Sequence, residues 1–197
     1  MDENNKWYCN IIFIIDSSKS MQGAKIGTVN SAIEELVPEL IDISTASSDV
    51  SIYVNALKIG DSVRWLFKDM CKGETFRWHN IHAGGNRNIG QSLRELDRKL
   101  RYGKFFNDSK KYFKPIVFFL TDGVSEDNYR ESLNLLKKNN LFNEAIKVGV
   151  AIGSEADQDF LMEFTGFKDH IVTAHTPEIL KRWIVFKELD NLDALEM

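Results

Sequence analysis

The sequence predicts an α/β protein built as a three-layer, doubly wound, mostly parallel sheet with one antiparallel edge strand. Three observations carry this. Short apolar runs without polar alternation recur along the chain, as in strands covered on both faces. Segments with apolar residues at helical spacing lie between them. The two kinds of segment alternate, which is the pattern of a parallel sheet wrapped by helices.

The elements follow in order. Residues 8–15 (YCNIIFII) read as a buried first strand. Residues 25–43 carry Ile26, Val29, Ile33, Leu36 and Leu40 on one helical face, with Pro38 predicting a kink or break. Residues 50–59 and 63–67 form strands split by Gly60-Asp61, a hairpin signal. A helix over 89–101 presents Ile89, Leu93, Leu96 and Leu100. Residues 115–120 (PIVFFL) are the clearest buried strand, followed by a helix over 127–139 with Tyr129, Leu133 and Leu136. Then come a strand at 145–152, a short helix at 157–164, a strand at 171–173 and a last helix at 176–189. Thr176-Pro177 suits the cap and first turn of that helix.

The chain has 197 residues, 43% hydrophobic and 27% charged, which fits one packed domain rather than a disordered segment. No repeat, low-complexity stretch or Gly/Ser-rich linker divides it. The reading is a single domain over 1–197, its core at about 6–187, with an acidic helical extension or tail at 188–197. A net charge of −4 gives no reason to expect nucleic acid or an anionic membrane as partner. The polar opening residues do not read as a signal peptide, and the longest apolar runs, 11–15 and 115–120, are too short to span a bilayer. Two scattered cysteines, Cys9 and Cys71, fit a reducing compartment. The expected location is cytoplasmic.

In doubly wound sheets, ligands bind at the carboxyl ends of the strands where the winding reverses. Three loops of this chain belong there. The first strand runs into Asp16-Ser17-Ser18-Lys19-Ser20-Met21, the 115–120 strand runs into Thr121-Asp122-Gly123, and Ala83-Gly84-Gly85-Asn86-Arg87-Asn88-Ile89-Gly90 opens a helix. Asp16, Ser18 and Ser20 alternate in a tight loop, and Asp122 adds a second carboxylate. Two carboxylates with two hydroxyls suit a hard cation such as Mg²⁺ and leave room for an acidic group of a partner. Singly, such residues are ordinary turn and cap residues. Together at two strand ends they point to a site.

DSSKSM after an apolar strand, a Gly-Gly loop opening a helix, and FFLTDG resemble the metal-ion-dependent adhesion site of von Willebrand factor A domains. FFLTDG, KVGVAIG and DFLMEFTG are most similar to the small bacterial tellurite-resistance-associated (TerY-like) members. The resemblance spans about residues 6–187. It implies a doubly wound sheet and protein binding rather than catalysis, with Asp16, Ser18, Ser20 and Asp122 as metal ligands. It further implies Asn86, Arg87, Asn88 and Gly123 on the partner-binding surface, and a Ser/Thr kinase or PP2C-type phosphatase as partner in a bacterial stress-response or tellurite-resistance system. One departure matters. Where the family has a ligand threonine in its Gly-rich loop, this chain has Arg87, counted back from Gly90, or Asn86, counted forward from Gly84-Gly85. An Asn oxygen ligates a hard metal, whereas a guanidinium has no lone pair to give. Two outcomes stay open: bound Mg²⁺ or Mn²⁺ with Asn86 completing the shell, or Arg87 as a substitute cation.

Other signals are weaker. His79 and His82 stand three apart with no completing ligand, and read as loop residues. The glycines of the 84–90 loop lack the Gly-Lys-Ser/Thr ending of a phosphate loop. Residues 104–114 mix basic and aromatic side chains and read as a solvated helix end and loop. The rival function is a Mg²⁺-dependent phosphohydrolase or phosphotransferase with Asp16 as nucleophile. Such chemistry wants a carboxylate two residues on, where Ser18 stands, and a positioned lysine, of which only Lys19 is apparent.

Overall fold

A computed structural model of the protein describes residues 6–46, 49–102, 105–106, 110–174, 176 and 178–179. Strands β1 (Trp7–Asp16), β2 (Val50–Ile59), β3 (Arg64–Trp65), β4 (Cys71–Lys72), β5 (Lys111–Tyr112), β6 (Ile116–Thr121), β7 (Ile146–Ile152) and β8 (Ile171–Ala174) form one sheet. Its main path is β3-β2-β1-β6-β7-β8, with β4 on β2 and β5 on β1. Every pairing is parallel except those of β3 and β4, both antiparallel to β2. The predicted antiparallel edge is therefore present, in two short pieces.

Helices α1 (Ala24–Ala46), α2 (Ile89–Tyr102), α3 (Tyr129–Leu136), α4 (Asn140–Glu144) and α5 (Gln158–Thr165) cover the sheet. Strand alternation divides the core into two layers. Cys9, Ile11, Phe13 and Ile15 of β1 face Val29, Ile33, Leu36 and Leu40 of α1. Ile12 and Ile14 face the other way, toward Leu93 and Leu96 of α2, Leu133 of α3 and Phe160 of α5. Because both faces of β1 are buried, its sequence is apolar from Ile11 to Ile15 and turns polar at its last residue, Asp16, while the one buried polar side chain before that, Asn10, is satisfied by donating to the Phe105 carbonyl at 2.8 Å.

Several expectations need correction. Helix α1 runs through Pro38 without a break. Proline removes one backbone donor there, but Pro38 and Glu34 are exposed, so water can serve the freed carbonyl while buried Leu36 and Leu40 hold the helix to the sheet. The helix expected from Asp127 starts at Tyr129, because the Asp127 carboxylate instead accepts the Gly90 and Gln91 N–H groups at the start of α2, at 2.8 and 3.0 Å. That helix stops at Leu136, and α4 follows as a separate turn capped by Asn139. The stretch read as a solvated loop contributes β5: Tyr112 packs on Tyr8 with ring centroids 5.5 Å apart, and the Lys110 ammonium lies 4.1 Å from the Tyr8 ring centre. His79 and His82 are exposed, as expected. The last helix lies almost wholly outside the described residues, and the 188–197 tail entirely so. Among the described residues, no helix is long and apolar enough to cross a membrane.

The topology fixes where a ligand meets the fold. From β1 the chain crosses to β2 on one side and later returns to β6 on the other. The winding therefore reverses between β1 and β6, whose carboxyl ends carry Asp16 and Thr121-Asp122.

Candidate functional site

Asp16 ends β1 and Asp122 follows β6, so adjacent parallel strands bring both carboxylates to one edge of the sheet. Backbone bonds hold the surrounding loops in register. The Ser17 N–H donates to the Ile59 carbonyl at 2.8 Å, Gly84 N–H to Ser17 O at 2.7 Å, and Lys19 N–H to Gly85 O at 3.0 Å. The Ser17 hydroxyl also bonds the Ile59 carbonyl. Thus the β1 loop and the Gly-rich loop are stitched together before any ligand is considered.

Between the carboxylates sits Arg87. Its Nε donates to Asp16 Oδ2 at 2.6 Å, its Nη2 to Asp122 Oδ1 and Ser20 Oγ, and its Nη1 to the Val124 carbonyl at 2.8 Å. The remaining oxygens are also taken. Asp16 Oδ1 accepts the Ser18 N–H at 2.8 Å, and Asp16 Oδ2 accepts the Thr121 hydroxyl at 2.7 Å. Asp122 Oδ1 accepts the Ser20 hydroxyl at 2.7 Å, and Oδ2 accepts Lys25 Nζ at 2.6 Å. Ser18 Oγ lies 3.3 Å from Ser20 Oγ. Asp16, Ser18, Ser20, Asp122 and Arg87 thus converge. Asn86 does not: it is exposed, and no hydrogen bond joins it to either carboxylate. Asn88 is half-buried and immediately precedes α2, its carbonyl accepting the Ser92 N–H at 3.1 Å. Gly123 is buried against the guanidinium; a Cβ there would stand 2.6 Å from Arg87 Nη1.

Two participants were not singled out in the sequence. Thr121 was visible in FFLTDG, but nothing marked its hydroxyl as the second donor to Asp16. Lys25 lies in the first turn of α1 and looks like any surface lysine. A site that leaves room for a partner's acidic group implies that Ser18 and Asp122 are open to it, and here the structure differs: they are 1% and 2% exposed, lying beneath Arg87 and Lys25. The accessible surface is made instead by Lys19, Ser20, Asn86 and Val124, with Lys25 partly exposed.

Burial alone would push the Asp122 carboxyl up. Hydrogen bonds from Lys25 and Ser20 and the charges of Arg87 and Lys25 outweigh that and hold it below the usual carboxylate range. For Arg87, burial opposes the charge, but Asp16 and Asp122 more than offset it and raise its pKa. A carboxyl group with a depressed native pKa stabilises the fold above its unfolded pKa of about 3.9, and that contribution disappears as pH falls through the lower native value. The urea midpoints of the parent protein and of Asp122→Asn should therefore differ most near neutrality and converge below about pH 3.9. A pH-independent difference would contradict the assignment.

A doubly wound sheet with a Ser- and Asp-rich site at its winding reversal defines a class of α/β ligand-binding domain. The chain belongs to the von Willebrand factor type A domain family, whose model matches residues 10–182. It is 27% identical over 155 residues to the human collagen alpha-6(VI) chain, covering 75% of this chain and 6% of that one. Proximal thread matrix protein 1 from the mussel byssus, with a zinc-occupied metal-ion-dependent adhesion site, has a similar fold (TM-score 0.61, 16% identity, covering 92% of this chain and 47% of that one). So does a von Willebrand factor type A protein from Catenulispora acidiphila (TM-score 0.64, 14% identity, covering 90% and 41%). The chain therefore spans less than half of each of these relatives.

Adhesion sites of this family hold divalent cations such as Mg²⁺ or Mn²⁺. The side chains present here do not fit one. Both carboxylates are occupied by Arg87, and Asn86 supplies no replacement oxygen. A hard cation entering this site would meet a guanidinium, which repels it and has no lone pair to offer.

Proposed function

We propose that the chain is a non-enzymatic protein-binding module that presents the carboxyl edge of its sheet to a partner. The observation that carries this reading is the charge network just beneath that edge: buried Asp16 and Asp122, neutralised by Arg87 and Lys25 and roofed by Lys19, Ser20, Asn86 and the exposed Val124. In a chain of net charge −4 the rim is basic. Lys19 and Lys25 flank the site. Beyond the Gly-rich loop, Lys58, Arg64 and His82 line a pocket of about 320 Å³ together with Asp61 and Gly84. Lys58 and Arg64 stand directly opposite on β2 and β3, a like-charge pairing that the nearby Asp61 carboxylate only partly offsets. Burial and the Arg64 charge both lower the Lys58 pKa. Such a rim suits an acidic group on the partner.

The similarity to tellurite-resistance-associated proteins extends the proposal to a bacterial stress-response setting, with a Ser/Thr kinase or PP2C-type phosphatase as partner. A cytoplasmic location is supported by Cys9 and Cys71, which are not joined to each other in a disulfide. The rival phosphotransfer reading meets a physical obstacle. A nucleophilic carboxylate must reach phosphorus, whereas Asp16 is 0% exposed and both its oxygens are engaged. Lys25, which the sequence did not mark as positioned, is at the site but bound to Asp122.

The test is affinity capture from the native host's extract, with bound proteins identified by mass spectrometry. Lys25→Glu and Val124→Asp should reduce recovery of a specific partner roughly tenfold or more, while Lys138→Glu in the turn after α3 should leave it unchanged. Equal recovery by all three variants would move the interface elsewhere. Turnover of a phosphomonoester or ATP by the purified protein, lost in Asp16→Asn, would replace this reading with the enzymatic one.

A further inference from the structure

We infer that this domain has dispensed with the divalent cation: Arg87 occupies the cation's place and Lys25 supplies its second charge. The inference rests on the binding-module reading for the purpose of the site, but not for its electrostatics.

The first argument is charge. Asp16 and Asp122 bring −2, and Arg87 and Lys25 bring +2, the charge of one divalent ion. The network is balanced as it stands. The second argument is position. Arg87 Nε and Nη2 bridge the two carboxylates, and Nη2 also meets the Ser20 hydroxyl, so one side chain spans the oxygens that a shared cation would span. Its side chain is only 9% exposed, which makes the guanidinium part of the floor of the site rather than a surface group folded over it.

The third argument is that the surroundings are shaped for the guanidinium. Nη1 is fixed by the Val124 carbonyl at 2.8 Å, a contact that a metal ion in the same place would not need. Gly123 leaves the volume that Nη1 fills; any larger residue would meet it at 2.6 Å. The Arg87 carbonyl accepts the Glu126 N–H at 3.1 Å, so the backbone at Arg87 is tied to the same β6–α3 loop that Nη1 reaches. For a metal to enter, Arg87 must leave three acceptors and the Val124 carbonyl, and the ion would then replace a charge that is already matched.

The consequence concerns the partner. In a metal site the exposed acceptor of a partner's carboxylate is the ion. Here the accessible cation of the buried charge network is Lys25, whose side chain is 35% exposed and whose ammonium has three donors, one of them used on Asp122. A partner carboxylate would be received by an ammonium beside Ser20, and binding would not depend on ambient Mg²⁺ or Mn²⁺.

The test is titration of the purified full chain with Mn²⁺, followed by the loss of the free-ion electron paramagnetic resonance signal and by calorimetry, alongside Arg87→Thr and the double variant Arg87→Thr/Lys25→Ala. The parent should leave the free-ion signal unchanged, and its unfolding temperature should be the same in Mn²⁺ and in chelator. The folded double variant, with two carboxylates and no internal cation, should bind Mn²⁺ at least roughly tenfold tighter than the parent, with Arg87→Thr between them. Saturable Mn²⁺ binding by the parent at the strength of the double variant would overturn the inference, as would a folded double variant that binds none. If the variants fail to fold, the parent titration still decides. These readings need no partner, so failure to capture one bears on the binding-module reading alone.

Discussion

Arg87→Ala should be the most destabilising single substitution at the site, lowering unfolding free energy by about 3–5 kcal/mol. The reason lies in what it leaves behind. Asp16 and Asp122 are 0% and 2% exposed, and each takes a charged hydrogen bond from the same guanidinium. Without it, Asp122 retains Lys25 and Ser20, but Asp16 keeps only the neutral donors Ser18 N–H and Thr121 hydroxyl. Two carboxylates at adjacent strand ends then repel in a poorly solvated place. For a domain of this length the loss corresponds to a fall of roughly 10 °C in unfolding temperature. A companion measurement separates charge from packing. In an Asp16→Asn/Asp122→Asn background, the same Arg87→Ala change should cost about 1 kcal/mol or less, because no buried anion is left to neutralise. Urea denaturation of the four proteins gives the coupling. If Arg87→Ala costs the same in both backgrounds, the guanidinium serves packing and the electrostatic account fails.

How much of this was legible in the sequence follows from the length scale of each signal. The strands buried on both faces wrote themselves as apolar runs, and the two aspartates were conspicuous because polarity begins abruptly at Asp16 and returns at Thr121-Asp122. Arg87 was legible as a departure, a cation three residues before Gly90 where a hydroxyl was expected. Lys25 was not, because its role depends on how α1 projects over the edge of the sheet, and one lysine in a first helical turn carries no periodic signature. The burial of Ser18 and Asp122 was inverted for the same reason: local sequence shows that a residue follows a strand, not that another loop closes over it. Strands β4 and β5 have two residues each, too few for any alternation to appear. Asp127 was read as the start of its own helix, whereas it caps α2, a choice between local and distant donors that only the packed loops decide.

The Gly-rich loop that delivers Arg87 contains two adjacent glycines with opposite tolerances, and they should behave differently on mutation. At Gly84 a Cβ would meet nothing within 4 Å, so Gly84→Ala should change stability by about 0.5 kcal/mol or less. Gly85 has φ +78°, in the left-handed region that costs an L-residue about 1–2 kcal/mol. Its Cβ would also overlap the Asp61 side chain, with Cγ at 2.6 Å, and the Asp61 backbone nitrogen as well. An exposed carboxylate can swing away, but a backbone nitrogen cannot, so the loop itself must shift. That shift pulls on the bond from Lys19 N–H to Gly85 O and, one residue back, on the bond from Gly84 N–H to Ser17 O, which together hold the β1 loop under Arg87. Gly85→Ala should therefore cost about 2–4 kcal/mol, the sum of backbone strain and overpacking. Asp61→Ala should not rescue it, because the backbone overlap remains. The damage should also reach the charge network: in Gly85→Ala the cost of a further Arg87→Ala should shrink, since the guanidinium no longer sits squarely between its carboxylates. Chemical denaturation of Gly84→Ala, Gly85→Ala and the two double variants measures all of this. A Gly85→Ala protein as stable as Gly84→Ala, or one fully restored by Asp61→Ala, would show that the loop is not the rigid arm that places Arg87.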